Sequence, residues 1–114
     1  MSDPVAPKPT AVADSAVLER LSAVIRTRRG ADPASSRTAK LFAAGTAKIA
    51  QKVGEEAVET VIEAMRGDRE RLVSESADLV YHLLVLWADR DIDPADVWAE
   101  LTRREGVPDP RDRR

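Results

Sequence analysis

Two pairs of carboxylates have a spacing that could place them around a metal ion. Glu56 and Glu59 form the first pair, and Glu75 and Asp78 form the second. Residues three positions apart lie on the same side of a helix, so each pair can present its oxygens in one direction. Oxygen ligands without histidine or cysteine suit hard cations, chiefly Mg²⁺ or Mn²⁺. Magnesium held in this way commonly binds substrate phosphate as well.

A charged stripe contains the first pair, with lysines preceding the carboxylates. Like charges four residues apart, such as Glu55 with Glu59, each cost a few tenths of a kcal/mol in an isolated helix. A purely structural face would interleave lysine among them, so the clustering favours an external cation. A solvated face of balanced charges remains the alternative. Within an arc of about 100°, the stripe contains Lys48, Lys52, Glu55, Glu56, Glu59, Glu63 and Arg66.

Helices must position these groups, because the apolar residues recur at helical spacing and no stretch alternates long enough for a strand. Gly67 and Asp68 are suited to end one helix and begin the next. If these helices fold back as a hairpin, the two carboxylate pairs face each other. The first predicted helix starts near Asp14 or Ser15 and ends at about Arg29, and a second segment starts after Ser36 or Thr38. A long helix then runs from Thr46 to Arg66. The next helix runs from Asp68 to about Arg90, and the last starts at Asp93 and Pro94 and ends before Gly106.

The helix after Asp68 is apolar around more than half of its circumference. Glu75 and Asp78 lie at the edge of its predicted buried arc, where carboxylates are costly unless they are paired or bound to metal. One small bundle cannot cover so much apolar surface, so we expect at least a homodimer. The predicted arc consists of Leu72, Val73, Ser76, Leu79, Val80, Leu83 and Leu86.

Composition excludes several classes of protein. The 114 residues allow one domain, predicted at 14–105 between disordered tails at 1–13 and 106–114. A formal net charge of -2 provides no basic field for nucleic acid. The absence of cysteine excludes thiolate sites, and His82 is the single histidine. No apolar run is long enough for a membrane span, and no secretory signal is evident, so we expect a cytoplasmic protein.

The acidic residues also form a known pattern. Glu55, Glu56 and Glu59, followed by Glu75 and Asp78, read EExxE…ExxD, which resembles the MazG-like all-α nucleotide pyrophosphohydrolases. The surrounding blocks at 36–41, 48–56, 77–86 and 96–101 resemble the phosphoribosyl-ATP pyrophosphohydrolases, and the likeness covers about residues 17–105. Arg37 departs from that family, which often has an aromatic residue at this position.

The resemblance implies a bundle of four to five helices that dimerises. It also implies Mg²⁺-dependent hydrolysis of the α–β phosphoanhydride of 1-(5-phosphoribosyl)-ATP to 1-(5-phosphoribosyl)-AMP and pyrophosphate, the second step of histidine biosynthesis. Glu55 would ligate a second metal ion or act as the base that orients water. Lys48 and Lys52 would bind phosphate, unless they only pair with the carboxylates. His82 would support Asp78 or contact substrate, unless it only packs in the core. The metal ligands implied are Glu56, Glu59, Glu75 and Asp78.

Glu63 is not required by the family pattern, and we expect it to be solvated. Two other functions fit the same residues. A house-cleaning pyrophosphohydrolase acting on dUTP, dCTP or a damaged NTP would share the acidic pattern, although the block at 48–54 and the pair Tyr81 and His82 argue against it. A non-catalytic helical dimerisation module would use the acidic stripe as a partner surface, and divalent metal would then leave its stability unchanged.

Overall fold

Five helices make up the computed structural model, which describes residues 13–108 and Arg111. No strand occurs in this part of the chain, so the predicted all-α class is confirmed. Most of the two predicted tails lies outside the described residues. The helices are α1 (Val17–Arg28), α2 (Arg37–Ala44), α3 (Thr46–Arg66), α4 (Arg69–Asp89) and α5 (Pro94–Arg104).

Polar side chains begin three of these helices by accepting hydrogen bonds from free backbone N–H groups. The Ser36 hydroxyl accepts from the N–H of Ala39 at 2.9 Å at the start of α2. Asp68 caps α4, and Asp93 caps α5, where Pro94 occupies the first helical position. These capping residues confirm the predicted starts of α2, α4 and α5.

Two glycines with positive φ separate α3 from its neighbours. Gly45 has φ 99° between α2 and α3, and Gly67 has φ 75° at the end of α3. The left-handed conformation at Gly67 is available to glycine without steric cost. It lets the chain reverse, so α4 runs back along α3, and these two helices form the most extensive contact of the fold. The predicted hairpin is confirmed.

The hydrophobic core lies toward the far end of this hairpin, where α1 and α2 pack against it. On α4 the core uses Tyr81, Leu84, Val85 and Ala88, and this corrects the predicted buried arc. Val73 of that arc is 60% exposed in the single chain. The prediction was wrong because α1 and α2 cover a different side of α4. The other buried core residues are Ile25, Leu41 and Ile49.

The last helix contributes no buried residue. It joins the bundle through Trp98, whose ring meets that of Trp87 nearly at right angles, with ring centroids 5.9 Å apart. No helix in the described range is both long enough and apolar enough to cross a membrane.

Candidate metal and phosphate site

The hairpin brings three of the predicted acidic residues together. Glu56 on α3 and Glu75 and Asp78 on α4 each offer a carboxylate oxygen, and these oxygens lie within 4.8 Å of one another. All three residues are half-buried. We call these three residues the carboxylate group. It forms because α4 runs back along α3 and because the three-residue spacing of Glu75 and Asp78 keeps both on one side of α4.

Repulsion within the carboxylate group acts most clearly on Glu75. Partial burial raises the pKa of the Glu75 carboxyl, and a hydrogen bond with Glu56 raises it further. The negative charges of Glu56, Asp78 and Glu63 act in the same direction. Glu75 therefore holds a proton more tightly than a free glutamate does, because partial burial disfavours its ionised form and the proton brings a positive charge among negative neighbours. A bound cation would supply the same charge.

The structure leaves Glu55 and Glu59 outside the carboxylate group. Glu59 is exposed on α3. The two oxygens of Glu55 have other partners: Gln51 Nε2 donates to Oε2 at 2.7 Å, and Lys52 Nζ lies 3.2 Å from Oε1. The bond from Gln51, followed by that from Lys52, lowers the pKa of Glu55. Its carboxylate is consequently a weaker base than an unpaired glutamate.

Glu63 differs from its predicted solvated state. It is only 4% exposed, so that expectation was wrong. Seven residues, or about two helical turns, separate it from Glu56, and the two side chains therefore share the side of α3 that faces α4. The sequence alone shows that Glu63 lies on the same side of the helix as Glu56. The expectation failed because Glu63 was judged by the family pattern, which does not require it.

The predicted phosphate-binding lysines lie on α3 ahead of the acidic residues. Lys52 has a side chain only 22% exposed, and it forms the ion pair with Glu55. Lys48 lies one turn earlier and is exposed. Its charge contributes to the lowered pKa of Glu55. The site thus has a positive end on α3 and a negative end between α3 and α4.

His82 is fully buried, one helical turn after Asp78 on α4. Its Nδ1 lies 2.8 Å from the backbone oxygen of Asp78, and Nδ1 must donate because a carbonyl oxygen only accepts. Burial lowers the pKa of His82, and the charges of Arg37 and Lys52 lower it further. In the neutral ring Nε2 is an acceptor, and it is buried without a hydrogen-bond partner among the described residues.

The chain is similar to known proteins over most of its length. Residues 18–105 match the family described as phosphoribosyl-ATP pyrophosphohydrolase. The chain is 67% identical over 93 residues to the phosphoribosyl-ATP pyrophosphatase of Azospirillum brasilense, covering 82% of this chain and 84% of the relative. The protein of the same name from Paramagnetospirillum magneticum is 62% identical over 94 residues, covering 82% of this chain and 86% of the relative. The corresponding Cereibacter sphaeroides protein is 64% identical over 91 residues, covering 80% and 88%.

Proposed function

The chain belongs to the phosphoribosyl-ATP pyrophosphohydrolase family, and we propose that it hydrolyses phosphoribosyl-ATP at the site between α3 and α4. The reaction breaks the α–β phosphoanhydride of 1-(5-phosphoribosyl)-ATP and yields 1-(5-phosphoribosyl)-AMP and pyrophosphate. It is a step of histidine biosynthesis, and we assign it to the cytoplasm. The observation that carries this proposal is the carboxylate group, whose oxygens lie within 4.8 Å of one another inside the family-matched region.

The carboxylate group fits a hard divalent cation, and we assign Mg²⁺ to it, with Mn²⁺ as a substitute. Its donors are all oxygens, which these ions prefer. The raised pKa of Glu75 is consistent with the assignment, because after partial burial it reflects the hydrogen bond with Glu56 and the negative charges of its acidic neighbours. Glu59, one turn beyond Glu56 and exposed, is available as a further ligand. When bound, Mg²⁺ supplies the positive charge that offsets the polyphosphate and stabilises the leaving pyrophosphate.

The residues on α3 divide the remaining work. Lys48 and Lys52 bind phosphate oxygens as point charges, and phosphate then competes with Glu55 for Lys52. Glu55 orients the attacking water by accepting a hydrogen bond, since its lowered pKa makes it a poor base; ligation of a second metal ion is the alternative role. His82 holds the backbone of Asp78 through Nδ1, and because its ring is fully buried we assign it a supporting role for Asp78 rather than a contact with substrate.

Pyrophosphate release tests this function directly. The full chain is assayed with phosphoribosyl-ATP, dUTP, dCTP and ATP, each with and without Mg²⁺. We expect Mg²⁺-dependent release from phosphoribosyl-ATP only. The Glu56→Gln variant should lose that release, because the amide keeps the side-chain shape and removes one negative charge from the carboxylate group.

A matched variant controls for the loss of charge alone. Glu70→Gln changes an exposed glutamate in the first turn of α4, and it should keep full activity. Release from a free nucleotide alone would move the protein to the house-cleaning class. An absence of release from every substrate would leave the helical dimerisation module as the explanation of the fold.

We also propose that the active form is a homodimer. Four apolar residues on α3 are exposed in the single chain at the spacing that normally marks a buried helix face. Burial of this face against a second copy would remove it from water. The face consists of Val58, Val61, Ile62 and Met65.

A further inference from the structure

Glu63 is a buried carboxylate that the proposed reaction does not use. It is 4% exposed, and its Oε1 has no hydrogen-bond partner in the described part of the chain. Its Oε2 lies 3.7 Å from Nη1 of Arg66, whose own side chain is 65% exposed. Removing a charge from water without full pairing is costly, so the exposed Arg66 compensates only part of the charge of Glu63.

The hairpin places Glu63 next to the carboxylate group without including it. Glu75 is seven residues after Asp68, and Thr60 is seven residues before Gly67, so Glu75 comes level with Thr60 on the antiparallel helix. Glu75 therefore lies between Glu56 and Glu63 along the hairpin, about 6 Å from the level of Glu56 and about 4.5 Å from that of Glu63 at about 1.5 Å per residue. The negative charge of Glu63 acts on Glu75, and it contributes to the raised pKa of that residue.

We propose that Glu63, through Oε1, is a further divalent-cation ligand and binds the ion together with Glu75, beside the position formed by Glu56, Glu75 and Asp78. Two carboxylates suffice, because Mg²⁺ keeps several waters and is commonly bound by one or two carboxylates together with phosphate. The inference rests on the proposed function, since Glu75 would contribute to both positions. The unpartnered oxygen of Glu63 is the observation that sets it apart from an acidic cluster alone.

Arg66 competes with the cation in this arrangement. Its guanidinium lies 3.7 Å from Oε2, and a cation at Oε1 would lie close enough to be repelled. Substitutions at two neighbouring positions should therefore change cation binding in opposite directions. Glu63→Gln removes a ligand charge, whereas Arg66→Gln removes a competing charge.

Binding of Mn²⁺ alone, followed by electron paramagnetic resonance on the chelator-treated full chain, tests the inference without using activity. Measurements at about 0.15 M salt limit the effects of distant charges. We expect Glu63→Gln to bind one of its Mn²⁺ ions roughly tenfold or more weakly, since even indirect partners of metal ligands contribute that much. Arg66→Gln should bind the same ion more tightly than the unsubstituted chain.

Two matched variants control for net charge. Glu70→Gln and Arg69→Gln make the same charge changes at exposed positions in the first turn of α4, and both should bind Mn²⁺ like the unsubstituted chain. If the unsubstituted chain binds Mn²⁺ and Glu63→Gln binds it equally well, this inference is overturned and the carboxylate group stands. If the unsubstituted chain binds no Mn²⁺, the proposed metal site fails as well. Should Glu63→Gln fail to fold, Arg66→Gln decides, and an unchanged affinity in that variant overturns the inference.

Discussion

Three carboxylates that converge within 4.8 Å repel one another unless a proton or a cation lies among them. Replacing Glu75 by Gln removes one negative charge from this group. Without divalent metal, we expect the variant to be at least as stable as the unsubstituted chain. With Mg²⁺, only the unsubstituted chain should become more stable, by about 2.7 kcal/mol when Mg²⁺ is at 100 times its dissociation constant.

Urea unfolding with and without MgCl₂ measures both effects of Glu75→Gln. If MgCl₂ raised the free energy of unfolding of both proteins equally, the ion would bind elsewhere. A marked loss of stability in the metal-free variant would show that Glu75 forms a favourable interaction rather than a repulsive one.

The sequence predicted the carboxylate group because its geometry follows from local rules. The three-residue spacing of Glu75 and Asp78 and the turn at Gly67 together fix which side chains meet Glu56. The burial of Glu63 depends instead on which surface α4 presents opposite it, and a family pattern does not contain that information. Similarly, the sequence placed His82 beside Asp78, but its unpartnered Nε2 becomes visible only when the surrounding packing is known.

Among the helical elements, the α3–α4 hairpin depends on one backbone conformation at Gly67. Its φ is 75°, and a Cβ there would meet no atom within 4 Å, so the strain of a substitution would come from the backbone alone. We expect Gly67→Ala to lower the free energy of unfolding by about 1 kcal/mol. Gly54→Ala is the matched variant, since Gly54 lies inside α3 with the same open surroundings. It should raise stability by about 0.5–1 kcal/mol.

Urea unfolding of these two variants at equal chain concentration distinguishes the backbone effect from a general effect of added methyl groups. Stability changes of the same sign in both variants would contradict the backbone effect.

Sequence-based prediction succeeded for local features of this kind. The caps at Ser36, Asp68 and Asp93 depend only on neighbouring residues. The buried arc of α4 was predicted wrongly because it depends on where α1 and α2 pack.

A contact between Arg29 and Asp91 joins the end of α1 to the end of α4. Arg29 Nη1 donates to the carboxylate of Asp91 and, at 2.8 Å, to the backbone oxygen of Ala88. The hydrogen bond from Arg29, followed by its charge, lowers the pKa of Asp91 below its usual 3.8. The stability contributed by this pair is therefore fully present above pH 3.8 and is lost as the pH falls through the lowered pKa.

Asp91→Asn tests that link, because asparagine tolerates the positive φ of this position. We expect a small decrease in Tm at pH 7, since both side chains are largely exposed. The difference from the unsubstituted chain should shrink as the pH falls below 3.8. Thermal unfolding followed by circular dichroism between pH 7 and pH 3 measures it. A difference that stays constant with pH would assign the effect to packing rather than to the charge of Asp91.

At the scale of the whole molecule, the apolar residues that the core leaves uncovered show a regular pattern. Val58, Val61, Ile62 and Met65 recur at the spacing of a buried helix face, although Met65 is 83% exposed in the single chain. Scattered apolar residues are common on protein surfaces, but a periodic exposed face along a helix as long as α3 is typical of an interface. The excess apolar surface was readable from the sequence. The location of this exposed surface could not be predicted, because it depends on which side of α4 packs in the core.

The dimer proposed from this face should dissociate when a charge is placed at its centre. Val61→Glu would bury a carboxylate without a partner at the interface, which is strongly unfavourable, so this variant should sediment as a 12.5 kDa monomer. Val17→Glu introduces the same charge at an exposed position in the first turn of α1, and it should remain dimeric like the unsubstituted chain. Sedimentation velocity at micromolar concentration separates these states. If the unsubstituted chain is monomeric, or if Val61→Glu stays dimeric, this face does not form the interface.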